Sequence, residues 1–168
     1  MTDAGALKVV ARGDRETVMT RAFDAPRSLV FDAWTKPDLL KRWLLGPPGW
    51  VMVVCEVDLR SGGAYRFVWR RDRDGHELGT GGVYREVVRP ERLVATEKFD
   101  EGWYSGEALV STILIEQGGK TIVTSTGLYE SREARDGVLT SGMESGVAAS
   151  YDRLAELLAA MSSHGGGA

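Results

Sequence analysis

Apolar and polar residues alternate along much of the chain, which is the pattern of strands that bury one face. The first alternating segment covers residues 16–23, and residues 7–11 extend it. Short turns rich in Gly, Pro and Asp separate six further segments, at residues 51–59, 63–72, 77–89, 92–100, 106–117 and 120–130. Turns this short join antiparallel neighbours. The sequence therefore predicts an antiparallel sheet of six to seven strands.

Two short helices are predicted between the first strand and the rest of the sheet. Pro26 and Pro37 each suit the first position of a helix, where a missing N–H costs nothing. The segment 46–49, with two glycines and two prolines, ends the second helix.

The last third of the chain changes to a helical spacing. Ser131 can cap a short helix, and Ser141 with Glu144 matches a capping box. Apolar residues then recur at spacings of three and four: Met143, Val147, Tyr151, Leu154, Leu158 and Met161. This stripe predicts one amphipathic helix of about 20 residues that ends near residue 161.

These elements form one α+β domain at residues 6–161, and disordered ends are expected at residues 1–5 and 162–168. A 20-residue helix is ~30 Å long and ~10 Å wide. Seven strands spaced ~4.8 Å apart span more than 30 Å, so a single helix cannot cover a flat sheet. The sheet must curve around the helix, and the glycines at 79, 81 and 82 offer a place to bend. The remaining interior volume must hold large side chains, water or a bound molecule.

The strand pattern identifies the residues that face this interior. Tyr65, Phe67 and Trp69 share one face of their strand, and Glu97 shares a face with apolar neighbours. The predicted ligand-binding residues are Trp43, Tyr65, Phe67, Trp69, Tyr84, Glu97, Met143, Val147 and Tyr151, with Trp50, Trp103 and Tyr104 at the rim. The aromatic residues can equally be plain core. For Glu97 the alternatives are an internal pair with Tyr84 or Glu86, a salt bridge, or an outward orientation.

Composition narrows the range of functions. The formal net charge of −3 gives no electrostatic footprint for nucleic acid. Cys55 is the only cysteine, so no internal disulfide can form, and its strand position favours a buried apolar role over a nucleophilic one. Two scattered histidines do not supply the spacing of a zinc site. We therefore expect no metal, no cofactor and no membrane insertion, and a cytoplasmic location.

Several motifs together carry a family resemblance. They are Phe23-Asp24-Ala25-Pro26-Arg27, Val30-Phe31-Asp32-Ala33-Trp34-Thr35, Asp58-Leu59-Arg60-Ser61-Gly62-Gly63, Gly82-Val83-Tyr84-Arg85-Glu86-Val87, Pro90-Glu91-Arg92-Leu93-Val94, the stretch 130–136, Gly142-Met143-Glu144 with Gly146, and Tyr151-Asp152-Arg153-Leu154. Over residues 16–160 the chain resembles the SRPBCC superfamily, which has the START-like helix-grip fold. Within it, the chain is similar to the family named after the activator of a heat-shock-protein ATPase. The resemblance implies a long gripping helix and an internal hydrophobic cavity, without an established catalytic set. Many relatives have a tryptophan where this chain has Val147.

Three hypotheses about function follow. The leading one is binding of a small hydrophobic or amphipathic molecule in an internal cavity, without catalysis. The second is a protein-interaction module that resembles the co-chaperone, which predicts an exposed apolar patch and a filled interior. The third is a cyclase- or hydrolase-like enzyme acting on a hydrophobic substrate, for which Glu97 with Tyr84 is the only hint. A protein partner or a homodimer is compatible with the sequence.

Overall fold

An eight-stranded antiparallel sheet curves around one long helix in the computed structural model, which describes residues 5–101 and 106–166. The strands are β1 Lys8–Arg12, β2 Glu16–Phe23, β3 Trp50–Val57, β4 Ala64–Arg71, β5 Glu77–Val88, β6 Arg92–Phe99, β7 Ala108–Gln117 and β8 Lys120–Leu128. The helices are α1 Arg27–Thr35, α2 Pro37–Trp43, α3 Arg132–Thr140 and α4 Met143–Gly166. The strand order is β1-β2-β8-β7-β6-β5-β4-β3, so β1 and β3 form the two edges. The α+β architecture and the short connections confirm the predicted fold.

The sheet has one strand more than predicted. Residues 7–11 were expected to extend the first strand, but Lys8–Arg12 forms a separate strand, β1. The chain turns at Gly13, whose φ of 57° favours glycine, and β1 then pairs antiparallel with β2 from Lys8 opposite Thr20. The alternation of apolar and polar residues does not reveal this reversal, because β1 and β2 both have a period of two residues.

The caps of the last two helices partly match the sequence. Ser131 caps α3 as predicted, since its hydroxyl oxygen accepts a 3.0 Å hydrogen bond from the backbone N–H three residues later. The predicted capping box at Ser141 is wrong. Ser141 belongs to the end of α3 and donates to the Val138 carbonyl at 2.6 Å, after which Gly142, with φ of 83°, redirects the chain into α4. Helix α4 then continues to Gly166 instead of ending near residue 161.

The core lies between the second half of α4, the two short helices and the middle of the sheet. Its largest fully buried side chains are Trp43, Phe23, Phe31, Leu40, Leu114, Leu154, Leu158, Val30 and Val123. Aromatic rings meet there edge to face, with 5.7 Å between the ring centroids of Phe23 and Tyr151. No helix among the described residues is long and apolar enough to cross a membrane.

Glycines in β5 let this strand approach its neighbours closely, where the bend was predicted. A Cβ atom at Gly82 would collide with the carbonyl oxygen of Thr96 in β6. The same carbonyl accepts a 2.6 Å hydrogen bond from the Tyr65 hydroxyl, so it points to the concave side of the sheet. Between Tyr84 and Glu86 the register of β5 against β6 shifts by one residue, which is a β-bulge. Before the bulge, even-numbered residues of β5 such as Tyr84 face the concave side. After it, odd-numbered residues such as Val87 do.

Candidate functional site

The two halves of α4 pack differently against the sheet. In the second half, Tyr151, Leu154 and Leu158 are 5%, 0% and 1% exposed. In the first half, Met143 and Val147 are only partly buried, although they belong to the same apolar stripe. The first half of α4 therefore leaves part of its apolar face accessible.

Aromatic side chains of β4 have the same partly exposed character. Tyr65, Phe67 and Trp69 lie on the concave face and stay partly exposed, and Tyr65 and Phe67 pack against the main core. Their rings form a row, with centroid distances of 5.1 Å from Tyr65 to Phe67 and 6.0 Å from Phe67 to Trp69. Tyr84 of β5 joins this row at 5.4 Å from Tyr65. Alternation correctly predicted that these side chains share a face.

Small side chains dominate the part of the concave face that β6, β7 and β8 supply. Antiparallel pairing aligns them in neighbouring rows that include Ala95, Ala108, Val110, Thr112, Ser125 and Gly127. Gly127 has no side chain, and the hydroxyl groups of Tyr129 and Thr17 lie close to it. A Cβ built at Gly127 would lie 2.9 Å from the Tyr129 hydroxyl oxygen and 3.1 Å from Oγ1 of Thr17. We call these small residues, together with Tyr65, Phe67, Trp69, Met143 and Val147, the concave apolar surface.

The loop between α2 and β3 connects α4 to β4. The indole N–H of Trp69 donates to the Leu44 carbonyl at 2.6 Å. On the helix side, the Gly46 N–H donates to Oγ of Ser150 at 2.8 Å, and Arg153 donates to the Gly46 carbonyl at 2.7 Å. These hydrogen bonds fix α4 relative to the aromatic row of β4.

Glu97 faces the concave side of β6. It pairs with Ala108 of β7, which is 2% exposed, and it is itself partly buried. Burial and then the Glu97 charge raise the pKa of Tyr65, and the same two causes raise the pKa of Tyr129. The Tyr65 hydroxyl donates its proton to the Thr96 carbonyl.

Tyr84 and Glu86 were the two predicted partners of Glu97, and their surroundings differ from those of Glu97. Burial, followed by the charge of Cys55, raises the pKa of Tyr84 to about 12. Glu86 was expected on the same face as Tyr84, and that expectation is wrong because the bulge after Tyr84 reverses the parity of the strand. The Glu86 carboxylate instead forms an ion pair with the exposed side chain of Arg92.

Three of the predicted ligand-binding residues are buried in the core. Trp43, Tyr84 and Tyr151 are 1%, 5% and 5% exposed. The indole N–H of Trp43 donates to the Ala33 carbonyl at 2.9 Å, which satisfies its one polar group. Their contact with a ligand stays a prediction.

The predicted rim is described in part. Trp50 lies at the start of β3, 5.3 Å from the Arg71 guanidinium and 6.2 Å from the His76 ring. An open cleft of about 510 Å³ is lined there by Pro48, Gly49, Trp50, Arg71, Asp72 and Arg73. Trp103 and Tyr104 lie outside the described residues.

The described residues contain no group of three His, Cys, Asp or Glu side chains that could hold a metal ion. Cys55 packs against the core, and burial raises the pKa of its thiol, so the thiol is protonated at neutral pH. A protonated, partly buried thiol is a poor nucleophile, which agrees with the apolar role predicted for Cys55.

Sequence reasoning missed the loop contacts and the residues around Gly127. Ser150 and Arg153 lie off the apolar stripe of α4, and nothing in the sequence links them to Gly46. The sequence did contain a signal for Tyr129. This residue continues the alternating row of β8 residues that includes Ser125 and Gly127, so it was predictable on the same face.

Comparison with known proteins agrees with this description. The sequence profile of the family described as Activator of Hsp90 ATPase homolog 1-like protein matches residues 24–159. Among solved structures, a protein from Rhodobacter sphaeroides is 31% identical, covers 92% of this chain and 98% of its own, and superposes with a TM-score of 0.86. A protein from Chromobacterium violaceum is 26% identical, with coverage of 86% and 96% and a TM-score of 0.76.

A protein from Nitrosomonas europaea, 24% identical with coverage of 91% and 99% and a TM-score of 0.79, shares the fold. No curated protein matches the chain. The profile match extends over most of the chain, and the structural relatives cover nearly their whole lengths. The chain therefore belongs to the Activator of Hsp90 ATPase homolog 1-like family, with the START-like helix-grip fold that its motifs predicted.

Proposed function

We propose that this protein binds a small hydrophobic or amphipathic molecule against the concave apolar surface. The observation that carries the proposal is the change along α4, from tight burial at Leu154 and Leu158 to partial exposure at Met143 and Val147. Partly exposed aromatic residues of β4 on the concave face add to the same apolar surface. A ligand that fills this region would remove both sets of side chains from water.

The hydrophobic effect sets the scale of such binding. Covering about 400 Å² of apolar ligand surface contributes ~10 kcal/mol at ~25 cal/mol per Å². Association costs at least ~4 kcal/mol, which leaves at most ~6 kcal/mol, so dissociation constants of tens of micromolar or weaker are expected. The single unpaired cysteine fits a reducing compartment, and we place this function in the cytoplasm.

A displacement assay with a neutral apolar dye, N-phenyl-1-naphthylamine, tests the proposal. The dye should gain fluorescence with the protein, and aliphatic compounds should displace it and raise the Tm. Phe67→Ala should weaken dye binding about tenfold, because it removes part of the aromatic row. Val51→Ala is the matched control, since Val51 is 37% exposed, pairs with exposed Arg70 on the convex face and should leave binding unchanged.

Two outcomes of this assay would refute the proposal. If neither the dye nor a library of apolar compounds binds or changes the Tm, the concave apolar surface is not a ligand site. Equal loss of binding in Phe67→Ala and Val51→Ala would place the dye somewhere else on the protein.

A further inference from the structure

Glu97 is a carboxylate on the concave face of β6, where its nearest same-face neighbours are apolar. Its same-face neighbours along β6 are Ala95, which packs against the core, and Leu93, which is 6% exposed. Across the ladder it pairs with Ala108. The continuous register of β6 against β7 leaves no bulge that would turn Glu97 outward.

The charge of Glu97 reaches the concave apolar surface. Two tyrosines that border this surface, Tyr65 of β4 and Tyr129 beyond β8, both have their pKa raised by the Glu97 charge in addition to burial. Glu107 acts on Tyr65 in the same direction. The single hydroxyl proton of Tyr65 is already donated to a backbone carbonyl. Two carboxylates, those of Glu97 and Glu107, therefore act on this end of the surface.

Carboxylate chemistry limits the ligands that suit this position. An ionised carboxylate only accepts hydrogen bonds, and its two oxygens offer about four acceptor sites. A charged donor forms the strongest hydrogen bonds with a carboxylate, whereas a second carboxylate is repelled. Because apolar walls exclude water, both effects are larger than in solution.

Arg21 offers the contrasting case of a positive charge on the concave face. It lies on β2, beneath the tightly packed half of α4, and is 8% exposed. Its guanidinium forms a 3.1 Å ion pair with Asp152 and lies 4.9 Å from the Phe23 ring centroid. Among the described residues its Nε atom is buried without a hydrogen-bond partner, but the group lies away from the partly exposed surface.

We propose that Glu97 selects amphipathic ligands that carry a protonated amine at the end of an apolar body. This inference rests on the proposed function, since it assigns the polar end of a ligand whose apolar part covers the concave apolar surface. In this arrangement the amine lies at the Glu97 carboxylate and the apolar chain extends along the aromatic row of β4.

Three compounds with the same ten-carbon chain test the inference on the unmodified protein: decylamine, decanol and decanoate. Each is titrated below its micelle concentration against bound N-phenyl-1-naphthylamine. We expect decylamine to bind at least about tenfold more tightly than decanol, in line with a charge-assisted hydrogen bond, and decanoate to bind most weakly.

Two isosteric variants then locate the preference. Glu97→Gln should reduce the ratio of decylamine to decanol affinity to within about threefold, while decanol itself keeps its affinity. Glu56→Gln removes the same charge from an exposed position on β3 and should preserve the ratio. If Glu97→Gln does not fold, Glu97→Asp, which withdraws the carboxylate by one methylene, should lower the ratio partially.

The outcomes separate this inference from the proposed function. Equal displacement by decylamine and decanol, or tighter binding of decanoate, would refute the amine preference and leave hydrophobic binding intact. A preference that survives in Glu97→Gln, or disappears equally in Glu56→Gln, would refute the role of Glu97. If none of the compounds displaces the dye and the dye itself does not bind, the proposed function fails and the inference fails with it.

Discussion

Replacement of Val147 by tryptophan tests whether the concave apolar surface borders open space. Val147 is partly buried on α4, two turns before Leu154, which is fully buried on the same stripe. The family resemblance implies a tryptophan here in many relatives, and we therefore expect the fold to accept the larger residue. The two possible surroundings of Val147 predict opposite signs for the change in stability.

If the region is open, the indole can extend over the concave apolar surface. A buried tryptophan covers 150–250 Å². Since this is about 100 Å² more than valine covers, the substitution should stabilise the fold by ~2.5 kcal/mol. In a domain of this size each kcal/mol raises the Tm by ~2–4 °C, so an increase of ~5–10 °C is expected. The same indole should block dye binding, because it occupies the space of the ligand.

If Val147 is instead packed as tightly as Leu154, the substitution should destabilise the fold by ~1–3 kcal/mol through overpacking. Leu154→Trp provides the reference for that outcome and should lower the midpoint of urea unfolding. A Val147→Trp variant that falls to the level of Leu154→Trp would refute the reasoning behind an open surface. Retained dye affinity in a stabilised variant would show that the ligand binds at another place.

Three further changes have definite expected results. Gly127→Ala should lower the free energy of unfolding in urea by about 1 kcal/mol. The new Cβ would lie 2.9 Å from the hydroxyl oxygen of Tyr129, a residue that is 6% exposed and has little room to move. Unchanged stability would contradict the close packing there. Ser150→Ala should cost ~1–2 kcal/mol and weaken dye binding, because the buried Gly46 N–H loses its acceptor, whereas exposed Ser145→Ala should do neither. Alkaline pH should unfold the protein, since the raised pKa values of Tyr84, Tyr65 and Tyr151 mean that the folded state holds these protons more tightly. Stability should be fully present below the ordinary tyrosine pKa of 10.0 and should be lost as the pH rises through about 12, followed by circular dichroism and tyrosinate absorbance; tyrosines that ionise near pH 10 without unfolding would contradict this.

The sequence predicted those features that depend on local periodicity. Alternation placed Tyr65, Phe67 and Trp69 on one face, and the stripe of α4 identified Val147 and Leu154. Prediction from the sequence failed where contacts between distant segments decide the geometry. The bulge that turns Glu86 outward depends on how β5 pairs with β6, and the pattern of β5 alone does not contain that information.

The structure also bears on the hypothesis of a protein-interaction module. That hypothesis expects a contiguous exposed apolar patch, and large exposed apolar residues do occur on the strands at Val10, Val51, Val53, Val83, Ile113 and Ile115. Strands β3 and β7, which carry four of these residues, are separated by three strands, or ~19 Å. Within the described part of the chain, these residues therefore form separate small groups and do not make one patch of the size expected for a stable interface.

The loop between α2 and β3 explains how an apolar surface can stay accessible without a ligand. An apolar helix over an apolar sheet should close onto it, because closure removes both from water. Here the Leu44 carbonyl is held by Trp69 of β4, and Gly46 is held by Ser150 and Arg153 of α4. Closure would break these three hydrogen bonds, all of them to backbone groups of the same short loop, and would leave partly buried polar atoms without partners. Under the proposed function, the loop thus acts as a spacer between α4 and β4, so that a ligand, and not the helix itself, covers the concave apolar surface.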